Sequence, residues 1–306
     1  MINNDFRVDD PRVVQTADPE ECRRPIPTKL YDLGQVEVVW EPAIRTQWAY
    51  LTPKDKPNCN EEILRDVQSW LKESKTYYER AGEEIRYMVM GSRFPGVFNL
   101  GGDLAMFADA IERGDRDLLQ NYGSLCVDIV HTLWCSNSMP VIMIGLVQGD
   151  AMGGGFEAML ALDVVVAERQ AKFGLPEIMF GFYPGMGAYS LLYRRLGFQS
   201  AEQMMLSGRI FSAQELFDLG LVHVLVEEGQ GEQAVREYIK KNNSRHAGHL
   251  GIYHAGRAAA PLEIKELTAI VQNWAETAFQ LSPKDLRMMR RLAAAQLRLY
   301  RRPAFL

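Results

Sequence analysis

Two glutamates and two glycine-rich junctions are the residues whose types and spacing suggest chemistry. The run Gly153–Gly154–Gly155 precedes a predicted helix that carries Glu157, and Glu177 follows Pro176 in a predicted loop. Two carboxyl groups beside one acyl group can move protons at its carbons 2 and 3, one as acid and one as base. Mutual repulsion and an apolar site would separate and raise their pKa values, which suits this work near neutral pH.

The glycines could supply a second part of such a site. Glycine between a buried strand and a helix lets the backbone approach a ligand closely, and the first turn of a helix has free N–H groups. A second junction, at residues 100–103 (LGGD), offers another N–H at the start of another predicted helix. Together the two junctions could form a two-donor oxyanion hole for a thioester carbonyl.

A purely structural interpretation of these residues also exists. The glycines would then form tight β–α turns that bind nothing, because isolated glycine motifs often match by accident. Glu157 would only interact with the dipole of its helix, and Glu177 would be a surface charge. Spacing alone favours this second interpretation, so the context of the motifs has to decide.

The elements around these motifs predict an α/β protein. Alternating or continuous apolar residues predict strands at 36–40, 44–51, 85–90, 141–147 and 164–168. A period of 3.6 predicts helices that include 60–79, 103–112, 116–135, 188–196 and 261–281. The run at 141–147 is too apolar to face water on either side, which is typical of a strand in a mostly parallel sheet.

The same pattern divides the chain into three parts. Residues 1–33 are polar and rich in proline, and they predict an extended N-terminal arm. Residues 34–230 alternate strands and helices and form the predicted α/β core, whereas residues 231–306 are predicted to be helical. Within the last part, 246–254 contains three histidines among glycines and is interpreted as a loop with only a weak indication of metal binding.

Composition restricts the class of protein. The 306 residues include 34 Lys and Arg and 39 Asp and Glu, giving a net charge of −5, which argues against nucleic acid or an anionic membrane as the main partner. The longest apolar run, 139–147, is far shorter than the ~18–20 residues that span a bilayer. Neither a secretory signal nor paired cysteines are evident, so we expect a cytoplasmic protein without disulfides or a bound metal.

Three segments together resemble the crotonase superfamily of enoyl-CoA hydratases and isomerases. They are FNLGGDLAMF (98–107), QGDAMGGGFEAM (148–159) and FGLPEIMFGFYPGMG (173–187), and the resemblance extends over roughly residues 35–300. It implies a spiral of ββα units with a C-terminal helical region that mediates trimerisation. The segments are most similar to a subgroup, the synthases of diffusible signal factors.

The resemblance assigns roles to the two junctions. It makes Gly102 and Gly154 the backbone donors of the oxyanion hole, with Gly101 and Gly153 as neighbouring substrate contacts. It makes Glu157 and Glu177 the acid–base pair. We let Glu177 remove the Cα proton and Glu157 act on the C3 hydroxyl, although geometry could exchange these roles.

The acyl tail requires an apolar pocket. Four candidates for its lining are Met152, Met186, Trp274 and Leu292. Ordinary packing in the core is the alternative for each. Met152 and Met186 have the better claim because each adjoins a glycine motif, and methionine adapts its shape to a flexible chain.

The implied activity is dehydration of a 3-hydroxyacyl chain on acyl carrier protein to the cis-2-enoyl form, followed by thioester hydrolysis. The product would be a cis-2-unsaturated fatty acid used in quorum sensing. No cofactor is expected beyond the phosphopantetheine that carries the substrate, on acyl carrier protein or coenzyme A. A homotrimer or hexamer and a sensor-kinase partner are further expectations. The alternatives are a conventional enoyl-CoA hydratase and a non-catalytic binding protein with the same fold.

Overall fold

Two β-sheets organise the residues that the computed structural model describes, 28–81 and 85–300. The strands are β1 Thr28–Asp32, β2 Val36–Glu41, β3 Thr46–Leu51, β4 Tyr87–Ser92, β5 Val97–Asn99, β6 Ile142–Val147, β7 Asp150–Met152, β8 Val164–Glu168, β9 Lys172–Gly174, β10 Ile210–Ser212 and β11 Val224–Val226. The helices are α1 Glu61–Ala81, α2 Leu104–Arg113, α3 Arg116–Trp134, α4 Gly154–Leu160, α5 Ala188–Leu196, α6 Phe198–Ser207, α7 Ala213–Asp218, α8 Gly231–Asn242, α9 His246–Ala259, α10 Ile264–Ala278 and α11 Pro283–Tyr300.

The larger sheet has the order β1-β2-β3-β4-β6-β8-β11. The β1, β2 and β3 strands pair antiparallel, and all later neighbours pair parallel. Every residue of β6 is buried, because apolar clusters cover both faces of the sheet. The predicted α/β architecture, with a mostly parallel sheet and a helical C-terminal region, is confirmed.

The smaller sheet brings the three motifs together. Its order is β10-β9-β7-β5, and β5, β7 and β9 pair parallel. Parallel strands that are neighbours end at the same edge of a sheet. The glycine junction after β5, the triple glycine after β7 and the turn after β9 that carries Glu177 therefore meet at one edge.

Caps explain where several helices begin. Asp103 is the N-cap of α2, and its side chain accepts hydrogen bonds from the amides of Ala105 and Met106. Ser212 and Glu215 form a capping box at the start of α7. These caps fix the helices close to the loops that precede them.

Two predictions need correction or restriction. The predicted loop over 246–254 is wrong, because α9 runs through it; His246 Nε2 lies 3.0 Å from the carbonyl oxygen of Arg86, and Arg257 pairs with Asp163. Of the predicted arm, 1–27 lies outside the described residues, and its final part forms the edge strand β1. No described helix is both long enough and apolar enough to cross a membrane.

Candidate active site

The two glycine junctions touch each other. A Cβ atom at Gly101 would lie 2.8 Å from the carbonyl oxygen of Met152 and 2.9 Å from the amide nitrogen of Gly154. Gly101 also has a φ of +81°, which L side chains rarely adopt. Glycine at this position is therefore required both by the close approach and by the backbone conformation.

The backbone at Gly102 and Gly154 is arranged for donation to a ligand. The amide of Cys59 donates to the carbonyl oxygen of Gly101 at 2.7 Å. Because C=O and N–H point in opposite directions across a trans peptide, the N–H of Gly102 points away from that amide. Gly154 is the first residue of α4, so its N–H has no carbonyl acceptor within the helix. Both glycines line one cavity of about 850 Å³, including its open mouth.

Glu157 faces the same cavity from the first turn of α4. Its side chain is 1% exposed, and its Oε1 accepts hydrogen bonds from the amides of Met186 at 2.8 Å and Ala188 at 2.9 Å. Burial raises the pKa of Glu157 to about 7, and the two amide donors oppose this rise. The carboxyl group is thus fixed in orientation and titrates near neutral pH.

Glu177 reaches the cavity from the one-turn 3-10 helix Pro176–Phe180. A Cβ atom at Gly153 would lie 2.6 Å from Glu177 Oε1, so glycine there leaves room for the carboxyl group. Glu177 Oε2 is buried and has no hydrogen-bond partner in the described part of the chain. Burial, and then the charge of Glu157, raises the pKa of Glu177 to about 8. Both pKa values are therefore raised, as the sequence predicts.

Beyond the two glutamates the cavity extends into the core between α1, α3 and the inner face of the sheet. Its wall there is apolar and consists of Leu51, Ile63, Leu64, Val67, Met90, Phe98, Ile129, Val130 and Leu133. We call this part the apolar arm. The lining residues of α3 run from Tyr122 to Leu133, which is about 16 Å along the axis at 1.5 Å per residue.

The four predicted tail-binding residues divide evenly. Met186 and Trp274 line the cavity, and the ring of Trp274 packs edge-on against Phe107. Met152 and Leu292, although described, are not among the lining residues. The thioether sulfur of Met152 lies 3.2 Å from where a Cβ at Gly174 would be, and Leu292 packs against the main core. Neither side chain is therefore placed at this cavity by the structure, and their contact with an acyl tail stays a prediction.

Three residues of the site were missed from the sequence: Cys59, Asn99 and Tyr122. Asn99 Oδ1 accepts from the amide of Gly101 at 2.7 Å and from the thiol of Cys59 at 3.2 Å. The hydroxyl of Tyr122 donates to the carbonyl oxygen of Cys59 at 2.6 Å. Only Asn99, just before the LGG sequence, carried a local signal. Burial raises the pKa of Cys59 to about 12, so its thiol is neutral and a poor nucleophile.

Other polar groups have structural partners. Arg194 pairs with Glu266, and Arg195 donates to the carbonyl oxygens of Leu160 and Leu162. Within 28–81 and 85–300, no three His, Cys, Asp or Glu side chains are grouped as metal ligands would be. The described site offers proton transfer and oxyanion binding, and its glycines and carboxyl groups account for both.

Comparison with known proteins agrees with this geometry. The family model described as enoyl-CoA hydratase/isomerase matches residues 67–280. The mitochondrial methylglutaconyl-CoA hydratase of Mus musculus is 31% identical over 159 residues, or 52% of this chain and 48% of that protein. The fatty acid oxidation complex subunit alpha of Pseudomonas paraeruginosa is 33% identical over 60% of this chain and 24% of its own length. The alignments thus cover half or less of these curated relatives.

A solved structure supports the same fold. The enoyl-CoA hydratase of Bacillus halodurans has a TM-score of 0.70 at 21% identity, covering 84% of this chain and 100% of its own. With a family model that matches well over half of its length, the chain belongs to the enoyl-CoA hydratase/isomerase family.

Proposed function

We propose that this protein adds water to, or removes it from, the C2–C3 bond of an acyl thioester. The observation that carries the proposal is one cavity holding two carboxyl groups with raised pKa values and two glycine backbone donors. The backbone N–H groups would hold the enolate oxygen, and the carboxyl groups would move the two protons.

The roles of the glutamates follow from their surroundings. With pKa values of about 7 and 8, the pair carries one proton near pH 7.5, mainly on Glu177. An ionised Glu157 then takes a proton from water as the water attacks C3, and Glu177 delivers its proton to C2. Dehydration is the reverse, in which Glu177 removes the Cα proton and Glu157 protonates the departing hydroxyl.

A conventional enoyl-CoA hydratase is the leading form of this proposal. The relatives at 30% identity or more include hydratases of acyl-CoA substrates and a fatty acid oxidation subunit. Near neutral pH Glu157 is ionised and Glu177 is protonated, and this is the charge state from which hydration starts. No cofactor beyond the phosphopantetheine of the substrate is required by these steps.

In a second form of this proposal, the protein dehydrates 3-hydroxyacyl chains and releases a cis-2-unsaturated acid; the apolar arm bears on the acyl chain length in both forms. An extended acyl chain advances about 1.2 Å per bond. The stretch of α3 that lines the cavity, about 16 Å, is therefore as long as roughly a dozen carbon–carbon bonds. This length suits a medium-chain acyl group better than a short one. In this form the carrier would be acyl carrier protein, and the same oxyanion hole would serve thioester hydrolysis. A homo-oligomer and a sensor-kinase partner belong to this second form.

Product analysis separates the forms. The purified full chain is incubated with trans-2-enoyl-CoA and with 3-hydroxyacyl thioesters of coenzyme A and of acyl carrier protein, at four and twelve carbons. Liquid chromatography with cis and trans standards, coupled to mass spectrometry, then follows bound and free acyl products. Hydrated acyl-CoA without free acid supports the leading form, and free cis-2-enoic acid supports the second. Binding of acyl chains with no turnover of any thioester would overturn both in favour of a binding protein.

A further inference from the structure

The far end of the chain contacts the first glycine junction. Gln296 of α11 donates from its Nε2 to the carbonyl oxygen of Leu100 at 3.1 Å. We propose that Gln296 is a positioning residue for the oxyanion hole, holding the peptide that precedes Gly101 and Gly102. This inference rests on the proposed function, because it assigns Gln296 to the donor side of that site.

One peptide plane is held at both of its polar edges. Its carbonyl oxygen, on Leu100, accepts from Gln296, and its N–H, on Gly101, donates to Asn99 Oδ1 at 2.7 Å. The next carbonyl oxygen, on Gly101, accepts from the amide of Cys59 at 2.7 Å. Two consecutive peptide planes are thereby fixed, and the second of them carries the N–H of Gly102.

Such external contacts matter because the junction contains two glycines. Without Cβ atoms, Gly101 and Gly102 have more accessible backbone conformations than other residues, and ordering them costs more entropy. A donor that must lie within hydrogen-bond distance of a developing oxyanion contributes most when it is held in place beforehand. Gln296 and Asn99 supply that order from outside the junction.

Helix α11 is itself fixed to both sides of the cavity. Arg290 pairs with Asp109 and Glu112 of α2, the helix that follows the junction. Asp285 lies against Gly181, the residue that ends the turn carrying Glu177: a Cβ atom at Gly181 would lie 3.0 Å from its carboxyl carbon. The orientation of α11 therefore determines whether Gln296 reaches Leu100.

The test compares one variant that lacks a donor with one that keeps it. Gln296→Met keeps the length of the side chain without a donor, and Gln296→Lys, one atom longer, keeps a donor. We expect Gln296→Met to lower kcat about five- to tenfold with KM within twofold of wild type. Gln296→Lys should retain at least half of the wild-type kcat. Arg291→Gln, an exposed position of the same helix, is the control and should match wild type.

Hydrogen–deuterium exchange of the segment 99–104 gives a readout that does not need turnover. Faster exchange in Gln296→Met, with wild-type exchange in Gln296→Lys, supports the positioning role even if the wild-type protein turns over none of the tested thioesters, which would refute only the proposed function. Unchanged exchange and kcat in Gln296→Met would overturn the inference. Equal losses in both variants would overturn it as well, because the donor would then be irrelevant.

Discussion

The charge of Glu157 raises the pKa of Glu177. The two carboxyl groups differ in their hydrogen bonds. Glu157 Oε1 accepts two backbone hydrogen bonds, whereas Glu177 Oε2 is buried without a partner in the described residues. The group with the stabilised carboxylate has the lower pKa, about 7 against about 8. The two amide donors favour the ionised form of Glu157, which supports our proposal that Glu157 is the base and Glu177 the acid near neutral pH.

Neutral amides at these positions should abolish proton transfer. We expect Glu157→Gln and Glu177→Gln each to lower kcat for hydration by about 10²–10⁴-fold, since general acid–base groups contribute that range. Steady-state kinetics with trans-2-enoyl-CoA measure the change. Glu228→Gln, an exposed glutamate, is the matched control. Activity within threefold of wild type in either active-site variant would show that its carboxyl group is not needed.

The pH profile should be bell-shaped. The active form carries one proton on the pair, so kcat/KM should fall below pH about 7, where both groups become protonated, and above pH about 8, where both ionise. Initial rates between pH 5 and pH 10 test this. In Glu157→Gln and Glu177→Gln, one limb of the residual activity should disappear; a flat profile in wild type would contradict the assignment.

The carboxyl group of Glu177 should lower the free energy of unfolding at high pH. The folded pKa of Glu177, about 8, lies above its ordinary value of 4.5, so the folded state retains a proton that the unfolded state releases. Stability therefore falls as pH rises from about 4.5 to about 8. Glu177→Gln removes this cost and should raise the free energy of unfolding by about 1–3 kcal/mol at pH 9. Thermal unfolding should show no such gain at pH 4, and a gain at both pH values would point to another cause.

The backbone N–H of Gly154 can be deleted by a substitution for which the surrounding structure has room. A Cβ atom at Gly154 would make its closest contacts at 3.6 Å, with Cys59 Sγ and Gly101 Cα, and proline is tolerated at the first position of a helix. Gly154→Pro deletes the N–H, whereas Gly154→Ala keeps it. We expect a loss of about 10²–10³-fold in kcat for proline and less than tenfold for alanine. Equal losses in two folded variants would argue against donation by this N–H.

The apolar arm should set the longest chain that binds. Leu133 lies at the end of the lining face of α3 and is fully buried. Leu133→Phe should lower kcat/KM for a twelve-carbon thioester about tenfold and leave a four-carbon thioester within twofold. Leu133→Met, which nearly conserves volume, controls for disturbance of the core. If both substrates lose activity equally, the tail does not occupy this arm.

Local sequence was sufficient to single out the glycine junctions and the two glutamates of the cavity, but not the apolar arm. The glycine junctions and Glu157 follow short strands, so their proximity follows from strand order in a parallel sheet. Met152 adjoins the triple glycine, yet it is not among the residues that line the cavity. The arm combines residues of α1, α3 and the sheet that are far apart in sequence, and only their packing brings them together.

The interpretation of 246–254 failed for a related reason. Glycines at 248 and 251 indicated a loop, because glycine lowers helix propensity. The helix nevertheless forms, and the Arg257 and Asp163 side chains hold it against the rest of the protein. Tertiary contacts here override local preference.

The apolar arm is also a gap in the centre of the protein. A cavity lined by Val67, Ile129 and Leu133 deprives these side chains of the neighbours that fill an ordinary core. A hydrocarbon chain would restore those contacts, so the occupied protein should resist unfolding more strongly than the empty one, in proportion to the logarithm of ligand concentration over its Kd. Under the proposed function, the contacts that recognise the acyl chain would also be the ones that complete the protein core.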